Sequence, residues 1–484
     1  MIEKAAADVP RGRKLAVAAL LVTYFFAVSW DGLKATFAAD DMLAIYMYWH
    51  PSPLRFAVSH FLLWRGYFRP MVGFFYLPIF ARYGLNPFPY HVVLLLLLLA
   101  GAWMMYRFAR AMGCAEVAAA VVALIACYHY GMANLYFNAV YVGDVLCGLF
   151  YFAAFGLYAR IRSTGRLLTG RQTAAFLGLY LCALNSKEMA VTLPLLLLVY
   201  EWLYHGPPPG RSWQELAQWL RGPGRGVCWA GLLDAVSVYG KAFGNYGLMH
   251  NPAYRPVFSL ARLVDFEERY LADIFGLVDR PALPATLSIW LVVTYFAWRR
   301  PRPLLRFCWF YVLITPIPIQ FLDGRGQANL YVTLAGWAMF AGTLFADSLP
   351  ALARVLDAEP LFRRLGRQRL YALLAALGML LLAWRTWTYE KTWIVLAIPQ
   401  LSPITDQVIK EFYALNPRVR PHAKVVILED PWPDGFDMEF IGELWFRDRK
   451  TQVILNQKQP QSEEEIAHAD AVLTWRDGKL ISVR

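Results

Sequence analysis

Charge is scarce in this chain. Asp, Glu, Lys and Arg make up 17% of its 484 residues, where a soluble protein carries about 25%. Cysteine is scarce too. The six residues Cys114, Cys127, Cys147, Cys182, Cys228 and Cys308 all lie in or beside apolar stretches, and none is in the polar tail. Neither a disulfide framework nor a cysteine-based metal motif fits that pattern, and small core residues do. No internal repeat is visible, which counts against the inverted-repeat plan of a secondary transporter or lipid flippase.

What is abundant is apolar surface. The chain is 58% hydrophobic with a mean hydropathy of +0.37. Apolar runs reach or approach the roughly 17–25 residues that cross a bilayer as a helix. They cover 15–30, 90–109, 115–130, 141–160, 172–186, 188–204, 227–243, 284–298, 307–322, 329–346 and 370–388. That predicts an α-helical polytopic membrane protein of about eleven transmembrane helices. Eighteen Trp and 27 Tyr fit aromatic belts at the two interfaces. The stretch 71–83 is apolar but too short to cross and is punctuated by Pro70, Pro78, Pro87 and Pro89. It is expected to lie along the outer surface as an amphipathic helix.

The net charge of +12 is unevenly spread: residues 389–484 hold 12 Lys and Arg against 15 Asp and Glu. The basic excess of the rest sits in short loops, which is a topology signal and not a nucleic-acid footprint. Lys4, Arg11, Arg13 and Lys14 put the N-terminus in the cytoplasm. Basic loops then alternate: Arg107 and Arg110; Arg160, Arg162, Arg166 and Arg171; Arg211, Arg221 and Arg225; Arg299, Arg300, Arg302 and Arg306; Arg354, Arg363, Arg364, Arg367 and Arg369. The 207–210 stretch (PPPG) reads as a cytoplasmic linker. The alternation closes only if 71–83 does not cross. The loops 31–89 and 244–283 and the tail 389–484 then share the outer face. The chain thus divides into a membrane domain, 1–388, and a small outer α/β domain, 389–484. In the latter, 424–430 (KVVILED) and 451–456 (TQVILN) read as buried strands. Residues 471–483 read as a hairpin around Arg476-Asp477-Gly478-Lys479, and 401–416 and 462–469 as helices.

Ionisable residues at span ends are costly to bury and mark function. Here they gather near the outer face: Asp40 and Asp41 after the first span, Arg69 before the surface helix, His91 opening the second span, Asp144 opening the fourth, Lys187 and Glu188 between the fifth and sixth, Asp323 and Arg325 between the ninth and tenth. Asp234 and Lys241 sit in the seventh span. Such a set suits an anionic lipid-linked substrate, with cations on a phosphate and a carboxylate as base for a hydroxyl. Two adjacent carboxylates raise one another's pKa or ligate a divalent cation, magnesium or manganese. The bland alternatives are a helix cap for Asp40-Asp41, a local ion pair for Lys187-Glu188, an interfacial anchor for Arg325 and a bond to a neighbouring helix for Asp234.

Four stretches carry a resemblance: 37–43 (FAADDML); 66–70 (GYFRP) with 83–87 (YGLNP) and Tyr90-His91; 185–194 (NSKEMAVTLP) running on to Tyr200-Glu201; and Arg325 with Leu330-Tyr331. In order and spacing they resemble the GT-C superfamily of integral membrane glycosyltransferases, in particular protein O-mannosyltransferase-like enzymes and lipid A aminoarabinose transferases. The resemblance covers about residues 15–345. It implies a periplasmic active site in a bacterial inner membrane and a polyprenyl-phosphate-linked sugar donor. Transfer would go to a protein, lipid or glycan acceptor, with inversion. Asp40 or Asp41 takes the catalytic or metal-ligating role. Arg69, Lys187, Arg325 and His91 become phosphate partners, and Glu188, Asp144 and Tyr331 support them. Arg325 stands farther from Tyr331 than the family pattern has it. No tetratricopeptide repeats follow the membrane part. A competing reading is a non-catalytic GT-C-like scaffold that docks a protein partner through the acidic tail.

Overall fold

The computed structural model describes residues 11–59, 69–206, 212–244, 248–277, 279–357, 359, 366–397, 403–432 and 434–484. Lys4, residues 66–68 of the GYFRP stretch, the 207–210 linker, Arg211, Arg363 and Arg364 lie outside them. Every apolar stretch named above corresponds to a helix: Arg11–Ser29, Pro87–Ala111, Glu116–Cys127, Val142–Arg162, Gly170–Leu184, Leu193–His205, Arg225–Phe243, Leu283–Arg299, Pro303–Ile314, Tyr331–Asp357 and Arg367–Ala397. Among the described residues four helical stretches are by themselves long and apolar enough to cross a membrane: Pro87–Ala111, Ala139–Arg162, Gln327–Asp357 and Arg367–Glu390. The others are shorter or more polar, so length and composition alone support fewer crossings than the sequence count. Extended or 3-10 segments cut them short. Glu188–Thr192, for example, is a 3-10 turn, and the helix after it starts only at Leu193.

The centre of the bundle is built by Pro87–Ala111, Val142–Arg162 and Tyr331–Asp357. Leu94, Leu98 and Met105 of the first, Tyr151 and Phe155 of the second and Leu334 and Met339 of the third are fully or nearly fully buried. Tyr331 sits where these helices meet, against Gly101 and Gly148; a Cβ at either position would collide with its side chain. Small residues allow this close approach. Toward one end, Arg162 and Glu201 form a bidentate pair, Nε–Oε1 2.7 Å and Nη2–Oε2 2.8 Å, with the Tyr158 hydroxyl donating to Oε1 at 2.8 Å. Both partners are buried, which is tolerable only because each is paired. Cys228 is exposed and Cys182 half-buried, so the expectation of core cysteines holds for the other four alone. Both lie on helices with many exposed or half-exposed positions, Gly170–Leu184 and Arg225–Phe243.

The 31–89 loop folds into the helices Ala39–Trp49, Pro53–Ser59 and Pro70–Tyr83. Pro70 occupies the first turn, where a missing N–H is harmless. The Met71 N–H donates to the Asn185 carbonyl at 3.2 Å. That bond pins the start of the helix beside the Lys187-Glu188 turn. The 244–283 loop carries an amphipathic helix, Leu260–Phe275, capped by the Ser259 hydroxyl and ended by Gly276 at φ +58°.

The tail is a four-stranded sheet in the order β2-β1-β3-β4, with β1 Lys424–Ile427, β2 Gln452–Leu455, β3 Ala471–Arg476 and β4 Lys479–Ser482. β1 runs parallel to β2 and β3, and β4 antiparallel to β3. Val425 and Ile427 face the main core, whereas Val426 joins Ala469 and Val472 on the other face. Burial on both faces explains why β1 reads as an unbroken apolar run. Asp477 and Gly478 both take positive φ, +53° and +75°, as a two-residue hairpin turn requires. The helix Asp437–Phe446 was not expected from the sequence.

Candidate functional site

The Ala39–Trp49 helix presents two chemically distinct faces. Asp41, Met42, Ile45 and Tyr48 are buried. The Asp41 carboxylate accepts from the Tyr76 hydroxyl at 2.7 Å through Oδ1 and from the Ala38 N–H at 2.8 Å through Oδ2. It therefore caps its own helix and ties it to Pro70–Tyr83. Burial pushes its pKa up to about 7 against those two hydrogen bonds. Asp40, one residue earlier, is exposed and lines a cavity of about 870 Å³ together with Leu43, Ala44 and Met47. This i, i+3, i+4, i+7 set is one helix face. The sequence left the two aspartates equivalent; the hundred-degree step between neighbours on a helix sends one to the cavity and one to the core.

Arg69, Lys187 and Arg325 reach the same cavity from separate elements, and Arg269 and Arg280 also line it. Arg69 comes from the turn before Pro70–Tyr83, Lys187 from the turn after Gly170–Leu184, and Arg325 from the loop before Tyr331–Asp357. Each is held. Arg69 donates to Glu188 from Nε at 3.2 Å and from Nη2 at 2.9 Å. Lys187 pairs with Asp144 at 2.8 Å. The Arg325 guanidinium lies 4.6 Å from the centre of the Tyr254 ring. Lys241 adds a contact to Glu188 at 3.6 Å. Lys187 and Glu188 are thus not paired with each other; an extended Lys187 (φ −159°, ψ 152°) turns the two neighbours toward different partners. Asp234 accepts from the Tyr180 hydroxyl at 3.1 Å, a bond between neighbouring helices.

A second cavity of about 250 Å³ shares Arg69, Lys187, Tyr254, Arg325 and Asn329 with the first. Its remaining wall is mainly apolar, with Met189, Val191, Val238, Ile319 and Leu322. The three cations therefore stand where a polar chamber meets an apolar groove. Such a junction accommodates an amphiphile with an anionic head.

Of the residues expected at the site, Asp41, Asp144, His91 and Tyr331 line neither cavity, although Asp144 bonds Lys187, which lines both. His91 is buried in Pro87–Ala111 and does not line either cavity; it opens the helix on its core-facing side. Tyr331 is likewise buried between Gly101 and Gly148. It packs helices together and meets no substrate space. The cavity also has residues that no motif or span end marks in the sequence: Tyr254, Arg269, Asp273, Arg280 and Gln327. Asp273 accepts from the Gln327 N–H at 2.8 Å. Burial pushes its pKa up to about 6, opposed by that N–H and by Arg269 and Arg280. The amphipathic periodicity of Leu260–Phe275 could have flagged this helix, since Phe266, Tyr270 and Asp273 share its buried side.

The aspartate pair does not fit a metal. Both Asp41 oxygens are engaged away from Asp40. Among the described residues no group of three His, Cys, Asp or Glu converges on one point.

No family model and no curated protein matches the chain. Among solved structures it is similar to ArnT from Cupriavidus metallidurans bound to undecaprenyl phosphate, with 14% identity over 98% of each chain and a TM-score of 0.49.

Proposed function

We propose that this protein is a membrane glycosyltransferase that moves a sugar from a polyprenyl-phosphate donor to an acceptor hydroxyl. The reaction takes place at the periplasmic face of a bacterial inner membrane. The observation that carries this reading is the junction of a polar chamber and an apolar groove at Arg69, Lys187 and Arg325, with Asp40 on the chamber wall. The lipid chain occupies the groove, the phosphate meets the cations, and the sugar points into the chamber. Asp40 accepts the proton of the acceptor hydroxyl. The acceptor oxygen attacks the anomeric carbon from the side opposite the phosphate, and the bond from that carbon to the phosphate oxygen breaks. The polyprenyl phosphate leaves with the electron pair and its negative charge is met by the three cations. Displacement from the opposite side inverts the anomeric centre.

Asp144 and Glu188 hold Lys187 and Arg69 in place. Preorganised charges need no rearrangement when charge develops on the leaving phosphate.

Lipid extracts and glycans from cells lacking the gene test this reading by mass spectrometry. The expected result is accumulation of one polyprenyl-phosphate sugar and loss of one glycosylated product. The wild-type gene restores both and Asp40→Asn does not. Full complementation by Asp40→Asn, or an unchanged lipid-linked sugar pool, would overturn it.

A further inference from the structure

The Ala39–Trp49 helix has a third face, and the C-terminal domain covers it. The Tyr46 ring stacks on Phe440, centroids 4.9 Å apart and planes 29° from parallel. His50 Nδ1 lies 3.7 Å from Glu443 Oε2. Arg449 donates from Nε to the Trp49 carbonyl at 2.9 Å, and its guanidinium sits 5.5 Å from the centre of the Trp49 ring. Arg447 reaches the neighbouring Pro70–Tyr83 helix, 5.3 Å from the centre of the Phe80 ring. All four contacts come from the Asp437–Phe446 helix and the turn after it. Asp40 is at the opposite end of the gripped helix, whose eleven residues span about 16 Å.

We infer that the C-terminal domain is a positioning element of the reaction: Phe440 and Arg449 fix the rotation of the Ala39–Trp49 helix and thereby aim Asp40 into the cavity. The Asp41–Tyr76 bond anchors one end of this helix in the core. Buried Met42, Ile45 and Tyr48 seat one face of the helix in the core, and contacts on a second face fix the angle at which it rolls over that seat. A carboxylate lies about 5–6 Å from the helix axis, so a turn of about 10° moves it about 1 Å. A shift of that size costs about a hundredfold in rate when a catalytic group is misplaced. Lys187 and Arg325 come from elements outside this grip, so most of the donor-phosphate charge stands apart from it. This assignment rests on the glycosyltransferase reading.

The test uses the full-length protein in detergent and the lipid-linked sugar that accumulates in cells lacking the gene. Wild type, Asp40→Asn, Phe440→Ala/Arg449→Ala and Phe440→Tyr are compared. The double variant is expected to lose at least tenfold in kcat, with donor KM within twofold and an unchanged stoichiometry of polyprenyl phosphate binding. Phe440→Tyr, which keeps the stacking ring, is expected to keep kcat within twofold. A wild-type kcat in the double variant overturns the inference. So does a fall in kcat matched by an equal loss of binding sites, because that is loss of folded protein. If the double variant does not fold, Arg449→Ala alone, a surface contact, carries the same comparison. Turnover by wild type with none by Asp40→Asn leaves the glycosyltransferase reading standing whichever way the tail variants fall. Absence of turnover by wild type removes both.

Discussion

Replacing Asp41 by Asn separates the two aspartates by their physics. The Asp41 carboxyl is fully buried and its pKa is raised from 3.8 to about 7. Ionising it in the fold therefore costs up to about 4 kcal/mol, at about 1.4 kcal/mol per decade. The folded protein holds this proton between about pH 4 and 7, where the unfolded chain has lost it. Stability must then fall as pH rises through that window and level off above it. Asn carries no such proton and removes this part of the slope. It keeps one acceptor oxygen for the Tyr76 hydroxyl and the Ala38 N–H, which the carboxylate serves with two. The lost bond costs about 1–3 kcal/mol at every pH. Asp41→Asn is expected to unfold at a lower temperature than wild type at pH 4.5. At pH 8 the difference shrinks or reverses. Thermal unfolding of both proteins in the same detergent from pH 4.5 to 8 measures this. Donor turnover in Asp41→Asn should stay within a few fold of wild type, whereas Asp40→Asn should lose about 10²–10⁴-fold, the worth of a general base. A temperature difference independent of pH would refute the buried-cap account, and loss of turnover in Asp41→Asn with full activity in Asp40→Asn would refute the assignment of roles.

Three further outcomes follow from particular contacts. Arg325→Gln removes a cation shared by both cavities. It is expected to weaken polyprenyl phosphate binding about 10–100-fold, the worth of a charge-assisted hydrogen bond, with little change in thermal stability; titration calorimetry reads both binding and its stoichiometry. Arg162→Gln leaves Glu201 buried without its bidentate partner and should cost about 3–5 kcal/mol. This would appear as a lower unfolding temperature with unchanged donor KM in the folded protein. Gly148→Ala drives a methyl group into the Tyr331 ring and should destabilise by about 1–3 kcal/mol. Pairing it with Tyr331→Leu, which frees that space, should recover part of the loss, and an additive double variant would show that the two residues do not share one contact.

Much of this protein is written in local pattern. Helices form wherever apolar residues run long enough, because a backbone away from water must satisfy its own hydrogen bonds. The hairpin at Asp477-Gly478 follows from two residues that accept positive φ, and the apolar run of Lys424–Ile427 from a strand buried on both faces. The gathering of Arg69, Lys187 and Arg325 near one level was also legible, because each sits at the end of an apolar stretch. Other features belong to the tertiary structure alone. Which aspartate is buried depends on where Tyr76 stands, 35 residues away in sequence. His91 and Tyr331 have the composition of site residues, yet the rotation of their helices turns them into the core. Asp273, Arg269 and Tyr254 reach the cavity only because the Leu260–Phe275 helix and the turn before it fold back over it. The Phe440 and Arg449 contacts join segments about 400 residues apart. Local sequence decides that a residue is on a helix and near an end. The direction in which its side chain points depends on what the helix packs against, and that is settled only when distant parts of the chain meet.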